Sequence, residues 1–186
     1  MLIADAQREV RLTFMGGFPG QVVSGSIWLV SAALATWGTP RSAIVVLAAG
    51  GAFIFPLTQL LLRAMGRRAS LDPANPLGGL AMQVAFTIPL SLPLIGAATL
   101  HQLGWFYPAF LIVVGAHYLP FVFLYGMWTF GLLAGLMIVG GTWIGLRMPG
   151  ALSPGGWYGA VLILAFAVIG LIVSRAEERR ATPASH

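Results

Sequence analysis

The sequence contains no cysteine and no lysine. Without cysteine the chain forms no disulfide, no thiolate metal site and no cysteine nucleophile, and the redox state of its compartment cannot be read. Without lysine it cannot form the Schiff base through which retinal or pyridoxal phosphate is attached. Two large groups of cofactor-dependent proteins are therefore excluded.

Acidic residues are scarce, and charged residues of both signs make up only 8% of the chain, against roughly 25% in soluble domains. The acids are Asp5, Glu9, Asp72, Glu177 and Glu178, all at the edges of apolar runs or beyond them. No pair of carboxylates is available for acid–base catalysis or a two-metal site, and no glycine loop follows a strand to bind phosphate. The sequence predicts no catalytic residue and no metal ligand, and it leaves any cofactor open.

Long apolar runs are abundant, with 58% of the residues hydrophobic. Each run is about 20 residues long, which is the length that a helix needs to cross the hydrocarbon of a bilayer. The runs cover residues 20–37, 42–64, 78–100, 105–125, the stretch from Gly126 to about Leu146, and 156–174. We therefore expect an all-α, polytopic integral membrane protein, a single bundle domain over residues 1–186 with six transmembrane helices.

Two short segments lie outside the spans. Residues 1–15 place Ile3, Ala6, Val10 and Phe14 at helical spacing, which fits either a short helix lying in the membrane interface or a frayed terminus. Residues 175–186 form a polar C-terminal tail.

The basic residues, all arginine, predict the orientation. An even number of spans puts both termini on one side, and the arginines on that side are Arg8, Arg11, Arg63, Arg67, Arg68, Arg175, Arg179 and Arg180. Only Arg41 and Arg147 lie on the other side. By the positive-inside rule both termini are cytoplasmic, in a multi-pass protein of a bacterial cytoplasmic (inner) membrane. The net charge of +5 thus reflects orientation and predicts no nucleic-acid partner.

Uncharged polar residues gather in the cytoplasmic half of the spans. At 1.5 Å per residue, Gln59 and Gln83 lie roughly 8 Å from the inner ends of their helices, and His117 and Tyr118 lie about 10–12 Å in. The predicted substrate-binding residues are His117, Tyr118, Gln59, Gln83 and Thr87, with Gln21 and Ser24 at a similar depth. They form either the wall of a polar pocket or a set of hydrogen bonds between helices.

Prolines interrupt three neighbouring spans near this depth. Pro56, Pro89 and Pro120 each remove a backbone N–H and free the carbonyl four residues earlier. We interpret them as hinges of a moving bundle, as in transporters with broken helices. The alternative is a passive packing kink.

Three pairs of glycines at a spacing of four mark close helix packing. The pairs are Gly131 with Gly135, Gly141 with Gly145, and Gly155 with Gly159. Such small-residue faces fit either packing within the bundle or contacts across a homo-oligomer.

The stretch Gly-Ala-His-Tyr-Leu-Pro-Phe at residues 115–121, with Asn75-Pro76-Leu77 upstream, resembles a family of small bacterial multi-spanning membrane proteins of unknown function. The resemblance implies no activity. From the residues themselves we expect a transporter or channel-like protein for a small neutral or weakly polar solute. The alternatives are a membrane-embedded enzyme or binding protein for a lipid, quinone or other apolar ligand, and a structural membrane subunit. The expected partners are the lipid bilayer and a small-molecule or lipid ligand.

Overall fold

The computed structural model describes residues 1–181, with side chains up to Arg179, and within this range all regular structure is helical. The helices are α1 (Ile3–Thr13), α2 (Phe18–Trp37), α3 (Pro40–Gly50), α4 (Ile54–Ala64), α5 (Leu77–Ala85), α6 (Thr87–His101), α7 (Phe106–Tyr125), α8 (Thr129–Arg147) and α9 (Ser153–Ala181). Residues 182–186 of the predicted polar tail lie outside this range.

Six stretches of the described chain are long and apolar enough to cross a membrane. They are Met15–Trp37, Pro40–Ala64, Leu77–His101, Leu103–Tyr125, Thr129–Arg147 and Ser153–Arg179, which we number as spans one to six. The prediction of an all-α bundle with six membrane-spanning helices is confirmed. Spans two and three each consist of two helices, α3 with α4 and α5 with α6.

Four spans form the centre of the bundle. The first span packs along the last (α2 on α9), and the fourth packs along the fifth (α7 on α8). Span two rests on α2, and span three rests on α7. The apolar windows of spans two and three are only 6% and 11% buried, against 39–44% for the other four. Spans two and three therefore lie on the outside, where lipid covers their apolar side chains.

A buried hydrogen-bond pair joins three spans in the half of the bundle that the sequence suggested to be apolar. Ser31 Oγ lies 2.8 Å from the Ala43 carbonyl oxygen and 2.6 Å from the Tyr107 hydroxyl. Since Ser31 has one hydroxyl hydrogen and donates it to the carbonyl, Tyr107 donates to Ser31. Trp28 packs against Tyr107 with ring centroids 5.9 Å apart, so the pair is covered by an aromatic ring.

The predicted glycine pairs serve mainly to pack helices within the chain. Gly141 and Gly145 face α7 and its preceding turn, whereas Gly155 faces Tyr107 and Gly159 faces Trp28. Of these pairs, only Gly135 has open space at its Cβ position. A homo-oligomer through glycine faces stays a prediction, and most glycines of these pairs face neighbouring helices of the same chain.

The N-terminal segment is an ordered helix and not a frayed end. The guanidinium of Arg11 makes two bonds of 2.8 and 2.9 Å to the Glu177 carboxylate, and it donates to the Tyr125 carbonyl oxygen at 2.6 Å. Glu9 accepts a bond of 2.9 Å from Asn75 in the loop between spans two and three. We call the Arg11–Glu177–Tyr125 contact the end clamp.

The end clamp holds the first and last helices at the same end of the bundle. α9 continues beyond Ser174 to Ala181, so the first part of the predicted polar tail is helical. That this end faces the cytoplasm, and that α1 lies in the membrane interface, stay predictions.

Candidate functional site

Two of the three predicted hinge prolines follow a break in their span. Span three is interrupted at Phe86, between α5 and α6, and Pro89 lies in the first turn of α6. Span two contains a 3₁₀ turn at Gly51–Phe53, just before Pro56. A proline has no N–H to bond to the carbonyl four residues earlier. In both spans that carbonyl lies in the irregular turn or next to it. Pro120 differs, because α7 runs through it without interruption. Movement at these prolines stays a prediction.

The break in span three is bonded to His117. The ring Nδ1 lies 2.8 Å from Thr87 Oγ1 and 3.1 Å from the Val84 carbonyl oxygen. Thr87 itself donates to the same carbonyl oxygen at 2.8 Å. A carbonyl oxygen only accepts, so a histidine nitrogen beside it carries the hydrogen. In the neutral ring Nε2 is then the acceptor.

A cavity of about 140 Å³ lies beside His117 in the half of the bundle nearer the end clamp. Its lining side chains are Phe14, Pro19, Gln21, Ser24, Ile54, Thr58, His117, Tyr118, Phe121, Tyr125 and Phe130, with Gly17 and Gly20. The buried members, including Gln21 and Tyr118, form its base. The half-buried members, including Thr58, His117 and Phe121, form its mouth. The cavity is thus enclosed by α2 and α7 and bordered by α4.

Aromatic rings cover much of the cavity wall. Tyr118 stacks on Phe130 with centroids 6.0 Å apart, and Phe121 stacks on Tyr125 at 5.6 Å. The His117 ring lies 5.0 Å from that of Phe121. The four carbocyclic rings, Tyr118, Phe121, Tyr125 and Phe130, are referred to below as the aromatic cluster. Their faces suit a flat or compact apolar group.

Gln21 supplies a buried polar group to the base of the cavity. Gln21 is only 4% exposed, and among the described residues its Oε1 has no hydrogen-bond partner. The Tyr118 hydroxyl lies beside the amide, but it does not meet Oε1 in hydrogen-bonding geometry. Buried polar atoms without partners are rare in folded proteins, because each loses its bonds to water without replacement. Gln21 therefore contributes a polar side chain to the cavity wall, with its unsatisfied Oε1 buried near Gly17 and Gly170.

The structure brings only part of the predicted site together. His117 and Tyr118 line the cavity, and Thr87 positions His117 without lining the cavity itself. Gln59 and Gln83 lie away from the cavity, and neither side chain bonds to a described residue. Gln83 is exposed. It lies on α5 and Thr87 lies on α6, so the spacing of four residues between them crosses a helix break and does not place them on one helix face. Gln59 is rotated by about 100° from Thr58, which does line the cavity.

The predicted set omitted several lining residues. Gln21 and Ser24 carried a signal in their depth, and Phe121 and Tyr125 carried one in their helical spacing from the predicted Tyr118 on one face of α7. Phe130 had no such signal, because its place depends on the turn at Gly126, where the backbone is left-handed with φ of 61°.

A family model matches residues 3–175, which include α1 and nearly all of the six spans. The chain belongs to DUF7010, a family of unknown function. A search of curated proteins and a search of solved structures gave no significant match. The expected resemblance to a family of unknown function is thereby confirmed at that level. Membership of DUF7010 brings no activity to this site, and both the 115–121 motif as a family hallmark and a bacterial source stay predictions.

Proposed function

We propose that this DUF7010 protein is a transporter for a small neutral or weakly polar solute, and that the cavity beside His117 is its binding site. The observation that carries the proposal is the cavity itself, in which polar groups from α2, α4 and α7 meet inside a membrane bundle. Polar side chains at such depth are costly in lipid and commonly mark a solute pathway.

A neutral solute fits the lining better than an ion. No lining side chain is an acid or an arginine, and the carboxylates of Glu9 and Glu177 are held at the end of the bundle by Asn75 and Arg11. A charged solute would lose its hydration in the cavity without gaining an opposite charge. Hydroxyl, amide and imidazole groups instead offer hydrogen bonds of the strength needed for a neutral molecule.

Spans two and three are the elements best placed to move. α4 packs on α2 while α5 and α6 pack on α7, and within the described chain α4 has no extensive contact with α5 or α6. Both spans are little buried and both are broken near the depth of the cavity. Elements with few buried contacts are those that open at the lowest free-energy cost. The central pairs α2–α9 and α7–α8 would stay fixed during this motion.

The test uses single cysteines, because the natural chain contains none. Ser24→Cys places a thiol in the cavity wall. We expect a polar, uncharged and membrane-impermeant methanethiosulfonate reagent to modify it from either side of a sealed vesicle. Arg41→Cys and Arg68→Cys, exposed at opposite ends of the bundle, serve as markers for the two sides. Modification of the cavity thiol from one side only would contradict transport.

A second candidate is a binding protein for a lipid-soluble ligand. Of the half-buried mouth residues, Ile54 and Thr58 belong to span two and His117 bonds to span three. Both of these spans are little buried and face lipid. A ligand could therefore enter sideways from the bilayer. In that case N-ethylmaleimide, which crosses membranes, would modify Ser24→Cys, and the uncharged impermeant reagent would fail from both sides.

A further inference from the structure

We infer that His117 Nε2 is the acceptor that recognises the solute, and that the solute is a molecule of about one ring in size that presents an O–H or N–H donor. This inference rests on the proposed function, because it names the chemistry of the same cavity. It assigns to Thr87 and to the break in span three the task of fixing the ring.

The first step is the hydrogen on Nδ1. Thr87 has a single hydroxyl hydrogen and donates it to the Val84 carbonyl oxygen, so its oxygen is free to accept from His117. The same carbonyl oxygen lies 3.1 Å from Nδ1. With two acceptors at one nitrogen, an Nδ1 lone pair would face oxygen lone pairs from both. The hydrogen is therefore on Nδ1, and the break in span three selects this tautomer.

The second step is the vacancy at Nε2. Within the described part of the chain no group donates to this atom, although the ring lines the cavity. Its neighbours are the rings of Tyr118 and Phe121, at centroid distances of 5.8 and 5.0 Å. An acceptor in apolar surroundings gains most from a donor brought by a ligand, since water competes poorly there. Nε2 thus favours ligands with a donor over equally shaped ligands without one.

The third step is the size of the space. The cavity measures about 140 Å³, close to the roughly 150 Å³ of an engineered apolar cavity that binds benzene in another protein. The aromatic cluster provides flat apolar walls, and the Gln21 amide provides a second polar group at the base. A six-membered ring or a similarly compact group with one hydroxyl or N–H fills this space.

The experiment compares phenol with toluene, which has the same shape and a methyl group in place of the donor. Each compound is titrated against the protein carrying Ser24→Cys in nanodiscs, and protection of the thiol from N-ethylmaleimide reports occupancy of the cavity. The measured quantity is the ratio of the half-protecting concentrations, toluene over phenol. Comparing this ratio between variants cancels the partition of each compound into lipid.

The expected result is a ratio that falls by about fivefold to tenfold when His117→Phe removes the acceptor, as for the loss of one hydrogen bond. His117→Asn is a second variant that keeps a donor near the Nδ1 position and lacks Nε2, so it should show the same fall with the break in span three still bonded. His101→Phe is the matched control at an exposed histidine in the other half of the bundle, and it should leave the ratio unchanged.

The outcomes separate this inference from the proposed function. Protection by both compounds with a ratio that His117→Phe and His117→Asn leave unchanged would show a ligand site that does not use Nε2, which overturns the inference alone. Protection by neither compound would overturn the inference and remove the support for a solute-binding cavity. Because the phenol oxygen can also accept a hydrogen bond, anisole, which accepts and does not donate, is titrated as a third probe. A toluene-over-anisole ratio that falls in both His117 variants would show that His117 presents a hydrogen to the cavity, which overturns the assigned tautomer.

Discussion

At the scale of single residues, Gln21 is the position where stability and binding oppose each other. Among the described residues its Oε1 is buried without a partner, and such an atom lowers the stability of the empty protein by about 1–3 kcal/mol. A protein selected only for stability would place an apolar side chain of similar size there. The proposed function would account for this amide as part of a solute site.

We expect Gln21→Met to raise the stability of the ligand-free protein by about 1 kcal/mol, because it removes the unsatisfied amide and keeps most of the side-chain volume. The measurement is the midpoint of thermal unfolding in detergent. Gln59→Met is the matched control, since that glutamine is half-buried and lies off the cavity; its midpoint should move little. A midpoint for Gln21→Met below that of the natural protein would show that the amide is satisfied in the folded state.

At the scale of elements, the end clamp determines how α1 is held. The side chains of Arg11 and Glu177 are 17% and 25% exposed, so water screens this pair less than a surface ion pair. Arg11 also bonds to the carbonyl oxygen of Tyr125, the last residue of α7. One guanidinium thus joins the first helix to the ends of α7 and α9.

We expect Arg11→Ala to destabilise the protein by about 1.5–3 kcal/mol, because Glu177 and the Tyr125 carbonyl lose charge-assisted hydrogen bonds. Thermal unfolding of the purified protein measures the effect. Arg8→Ala is the control, since Arg8 is 50% exposed and lies 3.8 Å from the same carboxylate, and exposed pairs contribute little. Equal effects of the two substitutions would contradict the clamp.

Element boundaries were largely predictable, whereas the pairing of elements was not. The hydrocarbon thickness imposes the same length on every span, so apolar runs alone located all six to within a few residues. Prolines also indicated the breaks before Pro56 and Pro89. The packing of α2 on α9 depends on shape, as where Gly25 leaves room for Leu164, and no periodicity in a single sequence encodes which helix is the partner.

In the site, too, position along a helix was predictable, whereas contact with a neighbouring helix was not. Depth along a helix is fixed by the rise per residue, so His117 and Tyr118 were predicted at one level with Gln21 and Ser24, and the four residues line one cavity. The direction of a side chain around the helix depends on where the helix begins, and the break at Phe86 changes that phase for span three. For this reason Thr87 meets His117 while Gln83 faces outward.

At the scale of the whole molecule, the arginines at the same end of the bundle as the end clamp predict the orientation in the membrane. We expect Arg68→Cys to react with an impermeant thiol reagent only from the cytoplasmic side and Arg41→Cys only from the outside, by the positive-inside rule. Labelling in intact cells and in inverted vesicles measures both. Both residues are exposed, in opposite loops, so a reversed pattern would overturn the predicted orientation.

The pairing of span one with span six has a consequence for biosynthesis. In a chain that enters the membrane from its N-terminus, α2 is made before its main packing partner, α9, with four spans in between. Until α9 is made, the face of α2 that packs on it, with Gly25 and Trp28, has no permanent cover. The early spans must therefore be retained near the insertion machinery or each other until α9 follows. We expect a nascent chain cut short before α9 to leave this face exposed and to become a substrate for membrane proteases.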